Sequence, residues 1–505
     1  MNPAAPDSAT TFPESQERKV VLLLCCLAAV HVFIFSAAFP PINNTDEQAH
    51  LDLSVKYSQG HLPRSLEPIA PESMQYIAVY GSVEYLWPPK DFPGGQFPPP
   101  PWTLPMDQVA GGLLAREAAW QGLNHESSQP PLYYALAGGW WRLGKACGLD
   151  GGTLFYWLRF SNILLVAVLV WLGYAAARMV FPGPGFPRIA VAALLAFMPQ
   201  SAFYSIENDV LSPLAFGAVF LCVVLWLRAE VPDVRLGILT GLAFAATFLT
   251  KMTNLPLLFV AGIMVLLKIR RLAGTGKLRA ALPALAALLA CTAPPVVAWM
   301  TWCKSHFGDL TGSAAKVAVL GWTVKPFGAW WHHPIFTPQG FWTFLSNLLA
   351  TFWQGEFLWH FEPLASTTVN LVYVIASLGL VALAAVALVS PKASATATQR
   401  LALGFGLVSF VAAVAFLGFL SIIYDFHDCF RPSRELPYFT SGRMILGALI
   451  PFLLVFVYGL DRGLSFSRSR RLSWLVLAGV ILFMLSSEAA IDWPVFFSRY
   501  NWYHM

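Results

Sequence analysis

The chain has 505 residues, of which 57% are hydrophobic and only 12% charged, with a formal net charge of +5. Soluble domains carry about 25% charge, so a water-soluble globule is excluded. The Lys and Arg residues lie mainly in short connections between apolar runs, so the positive balance reports orientation and points to no nucleic-acid partner.

Runs of roughly 20 apolar residues recur from one end of the chain to the other. Each is long enough to cross a hydrocarbon core of about 30 Å as a helix, the form that satisfies its own backbone groups. The expected fold class is an all-α integral membrane protein. Seven cysteines (Cys25, Cys26, Cys147, Cys222, Cys291, Cys303 and Cys429) show no zinc or disulfide spacing and read as small apolar fillers.

A tail over 1–19 ends in Arg18 and Lys19, which place it in the cytoplasm. The apolar run over 20–39 follows as an uncleaved signal anchor, longer than the apolar stretch of a usual signal peptide. It delivers Pro40 to the far side of the membrane. Residues 40–131 are rich in Pro, Gly and aromatics, with Pro88-Pro89 and a run from Pro98 to Pro101, and are too broken to span. Residues 132–147 are apolar but short, and mix Trp140 and Trp141 with Arg142 and Lys145, which predicts an interfacial helix. Charge parity agrees: if this segment does not cross, Arg178, Arg188, Lys268, Arg270, Arg271, Lys277 and Arg279 all fall inside.

Further spans are expected over 154–177, 189–204, 210–227, 236–249, 255–267, 280–302, 367–389, 401–423, 444–460 and 472–486. With the first helix this makes about eleven. The two runs flanking Lys251 are short, so that hairpin is expected to tilt or to stop within the bilayer. The polytopic region thus covers 20–490, with external loops at about 40–153, 303–366 and 424–443, and residues 491–505 end outside as an aromatic belt. Multi-pass insertion follows, with a cytoplasmic N-terminus and a C-terminus on the far side. The spans carry almost no ionisable residues at their centres, which speaks against a transport passage.

Four polar groups fall on the external face. Thr45-Asp46-Glu47-Gln48-Ala49-His50 follows the first helix directly, where Asp46 and Glu47 are candidate catalytic acids and a helix cap is the competing reading. Glu207-Asn208-Asp209 forms a polar turn between two apolar spans, with more acid than a turn needs. Lys251 sits at an external helix end, against the positive-inside trend. Arg431, Arg434 and Arg443 add guanidinium groups suited to bidentate phosphate recognition, with membrane-edge anchoring as the alternative. The adjacent His332-His333 and the stretch His427-Asp428-Cys429 lack metal-site spacing. Carboxylates as general base or cation ligand, beside Lys and Arg that neutralise a leaving phosphate, fit group transfer from a lipid phosphate.

Six stretches in order carry a family resemblance: TDEQAH (45–50), SQPPLYY (128–134), SIENDVLS (205–212), LTKMTNLP (249–256), TFWQGEFLW (351–359) and SGRMILGALIP (441–451). The chain resembles the polytopic glycosyltransferases of type C, and within them an uncharacterised bacterial family of multi-spanning membrane proteins. The resemblance implies that the acid of the first external loop, Asp46, is the catalytic base, with Glu47 beside it. It also implies juxtamembrane helices in that loop and, the family being bacterial, a place in the inner membrane with the C-terminus periplasmic. Gln129 stands where relatives usually have His, and Met444 where Tyr often follows the Gly-Arg pair.

The expected function is transfer of a sugar from a polyprenyl-phosphate donor to an extracytoplasmic glycan, lipid or protein, with a transporter or flippase of lipid-linked glycans as the rival. Donor phosphate falls to Arg443, Lys251, Arg431 and Arg434. Acceptor or second-site roles fall to His50, His125, Gln129, Tyr133, Glu207, Asn208 and Asp209. A divalent cation, if the chemistry uses one, falls to Asp46, Glu47 and Asp209.

Overall fold

A computed structural model describes residues 13–505 except 86, 391–394, 428, 430, 431 and 466–468. Helix α1 (Glu14–Ala38) is followed by four shorter helices, α2 (Glu47–Ser58), α3 (Pro71–Tyr80), α4 (Met106–Trp120) and α5 (Leu132–Ala146). Then come α6 (Gly151–Val180), α7 (Phe186–Ala196), α8 (Ser212–Arg228), α9 (Val234–Thr250), α10 (Leu255–Gly274) and α11 (Leu278–Phe307). The next segment holds α12 (Ser313–Val319), α13 (Phe327–Trp330) and α14 (Pro338–Gln354). Helices α15 (Thr367–Val389), α16 (Ala397–Ile423), α17 (Leu449–Leu464) and α18 (Arg470–Ile491) complete the bundle.

Among the described residues, nine helical segments are long and apolar enough to cross a membrane, and α7 and α9 are shorter apolar helices. The architecture is that of an all-α integral membrane protein. Helix α7 stops at Ala196 and not near 204, because Met198 precedes Pro199 and a residue before proline is pushed out of the helical region. Its 11 residues reach only about 16 Å. The chain then continues through single helical turns at Ser201–Tyr204 and Asn208–Leu211.

Two two-stranded ribbons are present among the described residues. Thr323 pairs with Asp425 and Val324 with Tyr424, tying the segment after α12 to the end of α16; Leu358 pairs with Pro363 and Trp359 with Glu362. The core centres on α7 and α17, where Leu449 to Leu460 are all buried.

The bundle has two chemically distinct ends. At one, Glu14 pairs with Arg178, Glu17 with Arg188 at 3.3 Å, Arg228 donates to the Met179 carbonyl at 3.1 Å, and Lys277 pairs with Glu230. At the other lie the loop after α1, the start of α6, the turn before α8 and the turn after α9. Helix α5 begins and ends at this second end. Its 15 residues span about 22 Å, too short to cross. It is clasped to α6 by Trp140 and Trp157, whose rings stack 4.5 Å apart at 3° while each indole N–H donates to the other's carbonyl.

The bundle interior is less apolar than expected. His31 of α1 and Glu488 of α18 meet inside it at 2.7 Å, and Arg159 of α6 is fully buried.

Candidate functional site

The loop from α1 to α2 turns sharply, with Ile42 and Asp46 both at positive φ (61° and 64°). Asp46 occupies the N-cap position of α2 yet makes no side-chain cap hydrogen bond. Its carboxylate points elsewhere: Oδ2 accepts from Arg443 at 2.6 Å, and Oδ1 lies 3.3 Å from His125 Nε2. The next residue turns the other way. Glu47 is fully buried, paired through both oxygens with Arg159 at 2.7 and 2.6 Å, and it also accepts the backbone N–H groups of Ile42 and Ile206. Every lone-pair direction of Glu47 is used, so it anchors the loop and does not reach the Asp46 pocket.

Arg443 is placed by the turn Gly442–Ala448 that opens the α17 span. Gly442 is required there by close approach: a Cβ would sit 2.0 Å from the Phe352 nitrogen of α14. The guanidinium meets Glu207 at 2.7 Å, Asp46 at 2.6 Å, Glu356 at 3.3 Å and Asp209 at 3.7 Å. It also donates to the Thr45 carbonyl at 3.3 Å, and Ser441 bonds Glu356 beside it. Lys251, at the C-cap of α9, pairs with Asp209 at 2.5 Å. Glu207 further accepts from Asn44 at 2.8 Å and Ser205 at 2.9 Å.

On the opposite side of Asp46, His125 lies 3.3 Å from Glu126, which also binds Lys316 at 2.5 Å and Gln129 at 2.5 Å. Gln129 reaches Asn208 at 3.4 Å, closing a ring of side chains from the first loop to the Glu207 turn. His50 Nδ1 is hydrogen-bonded to Tyr134 at 2.7 Å, and its Nε2 is buried without a hydrogen-bond partner among the described residues. Tyr133 is buried beside Glu207.

Five carboxylates (Asp46, Glu126, Glu207, Asp209 and Glu356) therefore face three fixed cations (Arg443, Lys251 and Lys316) and one imidazole. Burial opposes ionisation of Asp46, but Arg443 and His125 hold its carboxyl far below the usual range. Burial likewise works against a charged His125, yet hydrogen bonds and charge from Asp46 and Glu126 raise it to about 9. Glu126 is held low against burial by Lys316 and His125. Glu207 goes the other way, to about 7, because burial and the Asp209 charge outweigh Arg443. Burial drives His50 down to about 4, so it is neutral.

Accessibility separates the acids. The Asp46 and Glu356 side chains are each 23% exposed and His125 is 22%, whereas Glu207 and Asp209 are 1%. Asp46 is open to the surroundings and the two turn acids are not. Ligand atoms of Asp46, His125 and Glu126 lie within 4.8 Å of one another, close enough to hold one metal ion. That donor set differs from the expected one: Asp46 belongs to it, while Glu47 is engaged with Arg159 and Asp209 with Lys251.

Of the expected residues, Asp46, His125, Gln129, Glu207, Asn208, Asp209, Lys251 and Arg443 meet in one cluster, with His50 and Tyr133 buried beneath it. Arg434 does not join it, contacting Asp425 at 3.4 Å and His427 at 2.6 Å on an exposed loop; Arg431 lies outside the described residues. His333 caps the turn at Ile335 and contacts the Pro437 carbonyl. Glu126, Lys316, Glu356 and Arg159 were not singled out by sequence. The one available signal was Glu356 inside the quoted TFWQGEFLW stretch.

No curated protein matches the chain by sequence. Among solved structures, an oligosaccharyltransferase of Archaeoglobus fulgidus in complex with Zn and sulfate aligns at 12% identity and a TM-score of 0.41, over 95% of this chain and 53% of that one. The Archaeoglobus fulgidus oligosaccharyltransferase AglB, in complex with an inhibitory peptide and a dolichol-phosphate, aligns at 10% identity and a TM-score of 0.43, over 96% and 56%. The chain spans about half the length of these structures. Matched over residues 30–423, well over half of its length, the chain belongs to the family described as Predicted membrane protein (DUF2142).

Proposed function

We propose that this protein is a membrane glycosyltransferase of type C, transferring a sugar from a polyprenyl-phosphate donor to an extracytoplasmic glycan, lipid or protein. The observation that carries the proposal is the meeting of Asp46 and Arg443 at 2.6 Å, at the end of the bundle opposite the basic clusters. The positive-inside rule puts the basic end in the cytoplasm of a bacterial inner membrane, so the site faces outward. Nucleotide sugars are cytoplasmic, and a sugar activated on a lipid phosphate is the form that reaches such a site.

At rest, Arg443 neutralises Asp46. A donor phosphate competes for the guanidinium, and the carboxylate it releases becomes more basic. Asp46 then takes the proton of the acceptor hydroxyl, whose oxygen attacks the anomeric carbon. The bond from that carbon to the phosphate oxygen breaks, the electron pair leaves with the phosphate, and Arg443 and Lys251 stabilise it; the configuration inverts. A divalent cation held by Asp46, His125 and Glu126 would offset the excess of acid and help neutralise the leaving phosphate.

Asp46→Asn tests this, since asparagine tolerates the left-handed backbone. In a purified assay with lipid-linked sugar, the variant should fold and lose about 10²- to 10⁴-fold in rate. Near-normal turnover removes Asp46 from the mechanism. Movement of lipid-linked sugar across liposomes with no transferred product replaces the enzyme reading with transport.

A further inference from the structure

Away from the Arg443 cluster, a second set of polar side chains lies between α1, α18, the turn at Ser201–Tyr204 and the loop after α14. His31 Nε2 meets Glu488 Oε2 at 2.7 Å, and Tyr204 donates to the other Glu488 oxygen. Both oxygens of Glu488 are thereby occupied. Asp492 follows one turn later at the C-cap of α18. Its side chain makes no hydrogen bond or ion pair among the described residues, although the residue is only 9% exposed.

Asp492 lines a small cavity together with Ser201, Tyr204, Gln354, Ser487 and Glu488, over an apolar wall that includes Phe39 and Phe357. The space is about 10 Å³, room for one water-sized occupant. A buried carboxylate without a counter-charge is strongly unfavourable. With both Glu488 oxygens engaged, Asp492 supplies the one free carboxylate of the cavity among the described residues, and a single positive charge balances it. The surrounding donors are oxygens, the ligands that hard cations take.

We propose that Asp492, with the oxygens of Ser201, Tyr204, Gln354 and Ser487, holds one monovalent cation of sodium's size between the end of α18, the turn at Ser201–Tyr204 and α14. The ion ties the end of α18 to that turn and to α14; just beyond it, Phe496 packs edge-on against Phe35 of the first helix and the Tyr503 hydroxyl donates to the Ile34 carbonyl. It also borders the other site: Gln354 and Phe357 flank Glu356, whose carboxylate lies 3.3 Å from Arg443.

The test uses the full chain in detergent micelles, exchanged into a choline buffer, with ²²Na⁺ binding and thermal unfolding as readouts. Wild type should bind ²²Na⁺ saturably, with competition by Li⁺ and far less by K⁺. Its unfolding midpoint should climb as Na⁺ replaces choline, as for any ligand that binds only the folded state. Asp492→Asn should lose both effects, and Asp46→Asn should keep both. Should Asp492→Asn not fold, Ser487→Ala should weaken Na⁺ binding by about threefold or more, the loss of one ligand. Absence of saturable binding by wild type overturns the proposal. So do binding that survives Asp492→Asn, binding abolished by Asp46→Asn, and unaltered affinity in Ser487→Ala.

Discussion

Arg443 and Asp46, 397 residues apart in the chain, join at 2.6 Å where the α17 span meets the loop after α1. Two segments near opposite ends of the sequence are thereby brought to one point.

Arg443→Lys keeps the charge but loses the planar fork that serves Asp46 and Glu207 together. The expected outcome is a fall in kcat of about 10²-fold with little change in unfolding midpoint, the scale of losing one stabiliser of developing negative charge. Single-turnover kinetics with lipid-linked donor check it; an unchanged rate removes Arg443 from the chemistry.

Glu47→Gln should behave oppositely. It leaves Arg159 as an unpaired charge in a fully buried position, a loss of about 3–5 kcal/mol. Thermal unfolding in detergent should show the destabilisation, while the fraction that remains folded turns over at nearly the wild-type rate. A kinetic defect in well-folded Glu47→Gln would instead make Glu47 a participant.

The separation of Asp46 from Glu47 marks where sequence stops being sufficient. The apolar runs already delimited α1, α6, α8 and the last four long helices, because hydrophobic length is a local property. Likewise, Asp46, Lys251 and Arg443 stood out as charges at helix ends on one face. Adjacent acids look alike in a sequence, however, and the backbone turn at Asp46 sends one to Arg443 and the other to Arg159. Arg159 was disguised as the first basic residue of an apolar run. Glu126 and Lys316, 190 residues apart, recognise each other only after the loop before α5 and α12 come together.

Glu207 gives a pH signature. Its carboxyl titrates near 7 in the folded protein, through burial and Asp209, against an ordinary value of 4.5. The folded state therefore holds this proton more tightly than the unfolded chain. The associated stability is complete below about 4.5 and is lost as pH rises through about 7. Measured against wild type between pH 5 and 8, Glu207→Gln should gain relative stability as pH increases. A difference that stays flat would show that Glu207 is ionised throughout.

Divalent ions supply the last expectation. Mn²⁺ or Mg²⁺ added to chelator-treated protein should raise the unfolding midpoint, and Glu126→Gln should weaken that response by about tenfold or more. Calorimetry of the same titration checks it. No response in wild type leaves His125 as the cation that bridges Asp46 and Glu126.

Ile42, a β-branched residue, sits at φ 61° and Asp46 at 64° in the short stretch that follows α1. Such angles are uphill for side chains of this kind and endure only where the surroundings dictate them. The acid's bearing is thus set by the peptide chain itself, like a compass needle pinned at its pivot. Under the proposed reaction, a donor would meet a carboxylate already on its heading, with little of the binding energy diverted to swinging it into place.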